Sequence, residues 1–221
     1  ALVLPNIAQS VIAFHAIIKT GAVCVPCNVM YKAAEYSYVL NDAGVKLVFC
    51  LDLLCGVIEG IKSKTKVKQI ISVHPADMSD IGGWIPPLLA GKKMDLPNTL
   101  DFTSLLDKYP PTPPITKINP QKDLALIIYT AGTMGAPKGV METHYNMVSA
   151  CIAHAHVLGL DYNDVNLQIL PMFHIGGYIL LLHPILYKGG TVCMVPSFDP
   201  GEFLKIADTY KANTLIGTPT S

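Results

Sequence analysis

Apolar positions in the first third of the chain alternate between two periods. Ile7, Val11, Phe14 and Ile18 recur every three or four residues, marking one face of a helix that Gly21 stops. Residues 22–27 then read as a strand, 32–42 as a second helix closed by Gly44, 45–50 as a strand, 52–64 as a helix and 67–73 as a strand. This alternation predicts an α/β fold in which parallel strands are joined by right-handed helical crossovers. The opening Ala1-Leu2-Val3-Leu4-Pro5 has the pattern of an internal strand with no basic leader, which predicts a sequence that starts inside a longer protein.

From 74 to 100 the periodicity fades. Pro86-Pro87, Gly91 and Pro97 punctuate what reads as a long surface connection. Pro110-Pro111-Thr112-Pro113-Pro114 is a semi-rigid extended piece. Periodicity then returns: an apolar strand up to Tyr129, a loop, a short extended piece at Val140-Met141-Glu142, a helix over 144–158, a strand over 165–170, a helix over 175–187 and a strand over 191–195. Asp199-Pro200-Gly201-Glu202 caps a last helix with Phe203, Ile206, Ala207 and Tyr210 on one face, and 214–217 reads as a strand. The expected organisation is a first βα portion over 1–109, a Pro-rich connector over 110–120 and a second portion of the same large domain over 121–221.

Composition narrows the class. With 221 residues, 51% hydrophobic and 14% charged, the chain can bury a sizeable core, and a formal net charge of zero argues against nucleic acid as a partner. The apolar stretch 169–187 approaches membrane-spanning length, but Pro171, His174, His183 and Pro184 interrupt it, so a buried helix beside an apolar pocket is the expected form. Cys24-Val25-Pro26-Cys27 spells a C-x-x-C. It lacks a second ligand pair at zinc spacing and opens no helix, so the six cysteines read as buried thiols in a reducing, cytoplasmic setting.

The candidate chemistry lies in 129–140, Y-T-A-G-T-M-G-A-P-K-G-V. Gly132, Gly135 and Gly139 let successive N–H groups converge on an anion, and Lys138 adds a compact positive charge. Thr130 and Thr133 offer hydroxyls to phosphate, with Thr133 the residue to face a magnesium ion. The Walker pattern needs Gly before Lys and Ser or Thr after it, whereas Pro137 precedes Lys138 and Gly139 follows, so strand, loop, strand is the expected geometry. On the residues alone, a Gly/Thr-rich hairpin without a ligand is the competing reading.

The segment resembles the phosphate-binding signature of the adenylate-forming (AMP-binding) superfamily, Y-T-S-G-T-T-G-x-P-K-G-V. That superfamily comprises acyl-CoA synthetases, aryl-CoA ligases, firefly-type luciferases and peptide-synthetase adenylation domains. Ala131 and Met134 depart from the pattern, each removing a hydroxyl, at a cost to phosphate binding of about 1 kcal/mol apiece. Residues 17–28, I-I-K-T-G-A-V-C-V-P-C-N, and Leu170-Pro171-Met172-Phe173-His174-Ile175-Gly176-Gly177 resemble two more family segments, the latter from the acyl- and aryl-CoA ligase branch.

The resemblance implies the layered parallel-sheet (αβα) architecture of the family's N-terminal domain, incomplete here. It implies a ligase forming an acyl-adenylate and then an acyl-CoA thioester from a fatty or aryl acid, with ATP, Mg2+ and coenzyme A as co-reactants. Thr130, Ala131, Gly132, Thr133, Met134, Gly135, Lys138 and Gly139 would hold the nucleotide's phosphates. Lys138 and His174 would be the catalytic residues, and Phe173, His174, Ile175, Gly176 and Gly177 would meet the acid. On its own, a His in an apolar run is a satisfied core residue, and Gly176 and Gly177 read equally as helix-packing glycines. The family's adenine pocket, acidic magnesium ligand, ribose-binding carboxylate and C-terminal catalytic Lys have no counterpart in this sequence, which predicts that these residues alone do not adenylate acids. A luciferase-like or peptide-synthetase-type enzyme, or a non-catalytic nucleotide-binding module, are the competing functions. Small molecules are the expected partners, with peripheral membrane contact allowed.

Overall fold

The computed structural model describes residues 1–78, 90–130 and 136–217. Its first portion runs β1 (Leu2–Val3), α1 (Ala8–Lys19), α2 (Ala33–Asp42), β2 (Leu47–Leu51), α3 (Asp52–Ile61), β3 (Gln69–Val73), β4 (Leu100–Asp101) and α4 (Phe102–Lys108). The four strands form one parallel sheet in the order β1-β2-β3-β4, with Phe49 opposite Leu2 and Val48 opposite Ile70. Both faces are covered, which is why these strands are nearly all apolar. Val48 and Cys50 point into a core with Tyr36, Val39 and Leu40 of α2 and Cys55 and Ile58 of α3. The alternate positions Phe49 and Leu51 face a second core containing Ala13 and Phe14 of α1.

Residues 22–27 are extended but form only single parallel bridges, Leu2 to Pro26 on one side and Cys24 to Leu126 on the other, rather than the expected strand. Pro26 has no N–H to donate, so the ladder cannot run on. The segment still stitches the molecule together: Leu2 N donates to Val25 O and Cys24 N to Ala125 O, both at 2.9 Å.

Across that seam lies an antiparallel hairpin of β5 (Leu124–Thr130) and β6 (Lys138–Thr143), the expected strand, loop and strand. Then come α5 (His144–Val157), β7 (Val165–Gln168), a π-helical stretch Gly177–Leu182, α6 (His183–Lys188), β8 (Thr191–Met194) and α7 (Pro200–Tyr210). β7 and β8 pair in parallel, and Thr214 adds one bridge to Asn166 where a strand over 214–217 was expected.

Two further expectations are corrected. The single helix expected over 175–187 is split, because Pro184 cannot donate to the carbonyl one turn back and the preceding turn widens to the π form. The connection over 74–100 is also not featureless. A 3₁₀ turn occupies Pro75–Met78, and Lys93 Nζ sits 2.6 Å from both Asp77 and Asp101. Asp101 caps α4 by accepting from Ser104 N at 2.9 Å, a cap readable in D-x-x-S. By contrast, 110–118 carries no helix or strand, as the prolines require.

The larger core joins both portions. Phe14 of α1 stacks on Tyr178 with ring centroids 4.6 Å apart, beside Leu126 of β5 and Met147 of α5. At the far side of the first sheet, the buried Asp52 carboxylate meets His74 Nδ1 at 2.9 Å and accepts from Met94 N, tying the start of α3 to the end of β3.

Candidate functional site

Three turns that follow strand C-termini carry the candidate residues, at the edge where open α/β sheets bind ligands, and of these the first and third line a shared cleft. The first follows β1 and carries Asn6. The second is the loop between β5 and β6. The third follows β7 and carries Leu170 to His174.

The loop's ends are well defined. Thr130, the last residue of β5, pairs directly with Lys138, the first of β6, so both side chains leave the same face of the hairpin and both are exposed. One step inward, Tyr129 pairs with Gly139. A Cβ on Gly139 would lie 2.8 Å from Ile127 Cγ2 and 3.2 Å from Tyr129 Cζ, so this glycine is required by close packing of the two strands. The sequence reading assigned it to phosphate alone and missed this second role. Ala131, Gly132, Thr133, Met134 and Gly135, the middle of the motif, lie outside the described residues.

The third turn is held by buried amides. Asn6 Nδ2 donates to Gln168 O at 3.1 Å and Leu170 O at 3.0 Å, while its Oδ1 accepts from Met172 N at 2.9 Å. Gln168 Nε2 donates to Leu170 O at 2.8 Å and Gly177 O at 3.1 Å, and Asn166 Nδ2 donates to Gln168 Oε1. Asn6, Asn166 and Gln168 are all buried. This network fixes the backbone around Pro171 and Met172, with Asn166 Oδ1 its one atom lacking a partner among the described residues. Sequence reasoning overlooked these amides; polar residues inside the apolar runs L-P-N-I and V-N-L-Q-I-L were the available signal.

His174 projects from this held turn. Its N–H donates to Pro171 O and its carbonyl accepts from Gly177 N, leaving the imidazole exposed and tilted against Phe173 with centroids 4.9 Å apart. Phe173 and His174 line a cleft of about 480 Å³ together with Asn6, Val29, Ser197 and Phe198. Of the remaining expected acid-binding residues, Ile175 is exposed and Gly176 half-buried, both outside that lining. Gly177 is buried against backbone: an added Cβ would stand 2.2 Å from Pro171 O. Its packing role is therefore the one the geometry shows.

Among the described residues, no three His, Cys, Asp or Glu side chains gather where they could hold a metal ion. Thr133, the residue expected to face a magnesium ion, lies outside the described residues. The C-x-x-C pair is buried in the seam, where desolvation pushes the Cys24 and Cys27 thiols up to about 12. Among the described residues, no helix is long and apolar enough to cross a membrane.

Comparison with known proteins matches residues 1–221 to the AMP-binding enzyme family. A long-chain-fatty-acid–CoA ligase of Bacillus subtilis is 33% identical over all of this chain, which covers 41% of that protein. The crystal structure of a long-chain-fatty-acid-CoA ligase (FadD1) from Archaeoglobus fulgidus superposes with a TM-score of 0.80 at 27% identity, over 97% of this chain and 38% of that one. ATP-bound MatB from Rhodopseudomonas palustris superposes with a TM-score of 0.74 at 25% identity, over 99% of this chain and 39% of that one. The chain thus spans about two-fifths of the length of these relatives.

Proposed function

The chain belongs to the AMP-binding enzyme family, and on that footing we propose that it supplies the phosphate-binding hairpin and the acid-side histidine of an AMP-forming acid–CoA ligase acting on a fatty or aryl acid. The observation that carries this reading is the pairing of Thr130 with Lys138 at the mouth of a Gly-rich loop, with His174 presented on a separately braced turn at a cleft.

The chemistry asks for that division of labour. A carboxylate resists a thiol because oxide is a poor leaving group. In the first half-reaction a carboxylate oxygen attacks the α-phosphorus of ATP, the bond to the β,γ-phosphates breaks, and acyl-AMP and pyrophosphate result. The Lys138 ammonium and the loop amides offset charge on the departing pyrophosphate. In the second, the thiol sulfur of coenzyme A bonds to the acyl carbon, AMP leaves and the thiol proton is released. His174 stands at the cleft to orient the carboxylate and then border the thiol's approach. ATP, coenzyme A and the acid are the small-molecule partners, and the six free thiols support a cytoplasmic setting. A magnesium ion held through Thr133 would neutralise phosphate charge.

The decisive experiment is ATP/pyrophosphate exchange in the full-length protein that carries this chain. Lys138→Ala is expected to lower exchange by about 100-fold, the scale for losing one electrostatic contact to developing charge. His174→Ala is expected to act mainly on the acid's KM and on thioester formation. Wild-type exchange rates in Lys138→Ala would sink the reading. The 221 residues alone are expected to show no exchange, since they span only 41% of the Bacillus subtilis relative.

A further inference from the structure

We propose that helix α2 is the positioning element of the phosphate-binding hairpin, acting through Tyr38 and Asp42. The inference rests on the reading of that hairpin given above and adds residues outside the loop motif.

Both strands of the hairpin are gripped from α2 where they enter the loop. On the β5 side, the Tyr129 phenol donates to Asp42 Oδ2 at 2.6 Å. On the β6 side, the Tyr38 phenol donates to Pro137 O at 3.0 Å. The two tyrosine rings meet edge-on with centroids 6.4 Å apart. Tyr38 and Asp42 are one helical turn apart, so a single face of α2 presents both groups. Their partners lie 87 and 99 residues away, so chain connectivity alone does not create these contacts.

Each contact fixes something the loop needs. The Pro137 carbonyl and the Lys138 N–H share one planar peptide unit. Holding the oxygen toward Tyr38 aims that N–H away from α2 and sets where the Lys138 side chain begins. The Tyr129 ring is the surface against which Gly139 packs, so the Asp42 contact to its hydroxyl fixes the template for the second strand. Burial and the adjoining Asp42 carboxylate push the Tyr129 phenol up, keeping it protonated as a donor.

The helix is itself rigid enough to act as a jig. The Glu35 carboxylate accepts from the Lys32 backbone N–H at 2.7 Å at its start, and Tyr36, Val39 and Leu40 are buried in the core against the first sheet. Tyr38 is 38% exposed and Asp42 is exposed, so neither contributes to that core. Truncating them should disturb the loop's entry far more than the fold.

The test uses the full-length protein, with KM for ATP, KM for the acid and the melting temperature read for Tyr38→Phe, Asp42→Ala, Asp42→Asn and Lys138→Ala. Tyr38→Phe and Asp42→Ala are each expected to raise the KM for ATP by about 3- to 10-fold, the scale of one modest hydrogen bond. The acid's KM and the melting temperature are expected to stay near wild type. Asp42→Asn keeps an acceptor for the Tyr129 hydroxyl and is expected to restore most of the ATP KM. Should Tyr38→Phe and Asp42→Ala leave the ATP KM unchanged while Lys138→Ala raises it, the positioning role is refuted and the hairpin reading stands. A fall in melting temperature with both KM values raised equally also refutes it, because that is the signature of general loosening. If Lys138→Ala leaves both ATP/pyrophosphate exchange and the ATP KM unchanged, both proposals fall.

Discussion

At the scale of single residues, two side-chain-sized facts set the limits of this fold. The space at Gly177 is already taken: a methyl group there would collide with Pro171 O at 2.2 Å, so the turn carrying His174 must move to admit it. Gly177→Ala is expected to cost about 3 kcal/mol or more in urea unfolding, and, in the full-length enzyme, to raise the acid's KM more than that of ATP. Burial of a neutral base sets the second limit. His183 lies on the core beside Phe14, Tyr178 and His15, its Nε2 has no partner among the described residues, and burial pushes its pKa down to about 3. The unfolded chain takes up this proton near pH 6.5 while the folded one resists it, so the contribution is complete above about pH 6.5 and drains away as the pH falls toward 3. His15 is pushed the same way by burial and by Lys19. His183→Phe keeps the ring contacts and is expected to flatten the acid limb of stability by a few kcal/mol between roughly pH 6.5 and 4 in chemical denaturation. An unchanged limb would show that His183 is solvated in the native protein.

At the scale of elements, most of what period and punctuation predict is present, and the misfits have local causes. The helices around Phe14, Tyr36 and Ile206 and the strands around Val48 and Ile70 follow the apolar spacing. Residues 22–27 lose their ladder to one missing N–H at Pro26, and α4 escapes notice because seven residues are too few for a helical period to show. The site was legible as two motifs, P-K-G and P-M-F-H, but not as a bracing scheme. Asn6 and Gln168 meet the histidine turn across 162 or more residues for Asn6 and across 2 to 9 for Gln168, and a period carries no information on such partners. The bracing is testable. Asn6→Leu removes two donations and one acceptance at once and leaves the Leu170 carbonyl and Met172 N–H without their Asn6 partner. The expected cost is about 3 kcal/mol in thermal or urea unfolding, with the cleft beside His174 widened. A cost below 1 kcal/mol would mean that water replaces the amide.

For the whole molecule, the seam through Cys24 decides how the portions cohere. Its backbone joins β1 on one side to β5 on the other, and its two thiols lie in different cores, Cys24 with Phe14 and Leu126 and Cys27 with Tyr36 and Val48. A chain held together in this way cannot open its seam without disturbing both cores. Cysteine labelling reads this directly. Of the six free thiols, only Cys193 is half-exposed; Cys24, Cys27, Cys50, Cys55 and Cys151 are buried. Desolvation raises Cys24 and Cys27 to about 12, so at pH 8 almost no thiolate is present on either in the native state. A maleimide is therefore expected to label Cys193 first. Cys24 and Cys27 should follow together, at a rate that tracks denaturant in the same way as loss of helix signal, because only disruption of both cores exposes them. Labelling of Cys27 well ahead of Cys24 would show that the Tyr36 core opens independently, and the seam would then be a boundary between two separately unfolding units instead of the weld that aligns the hairpin with its bracing helix.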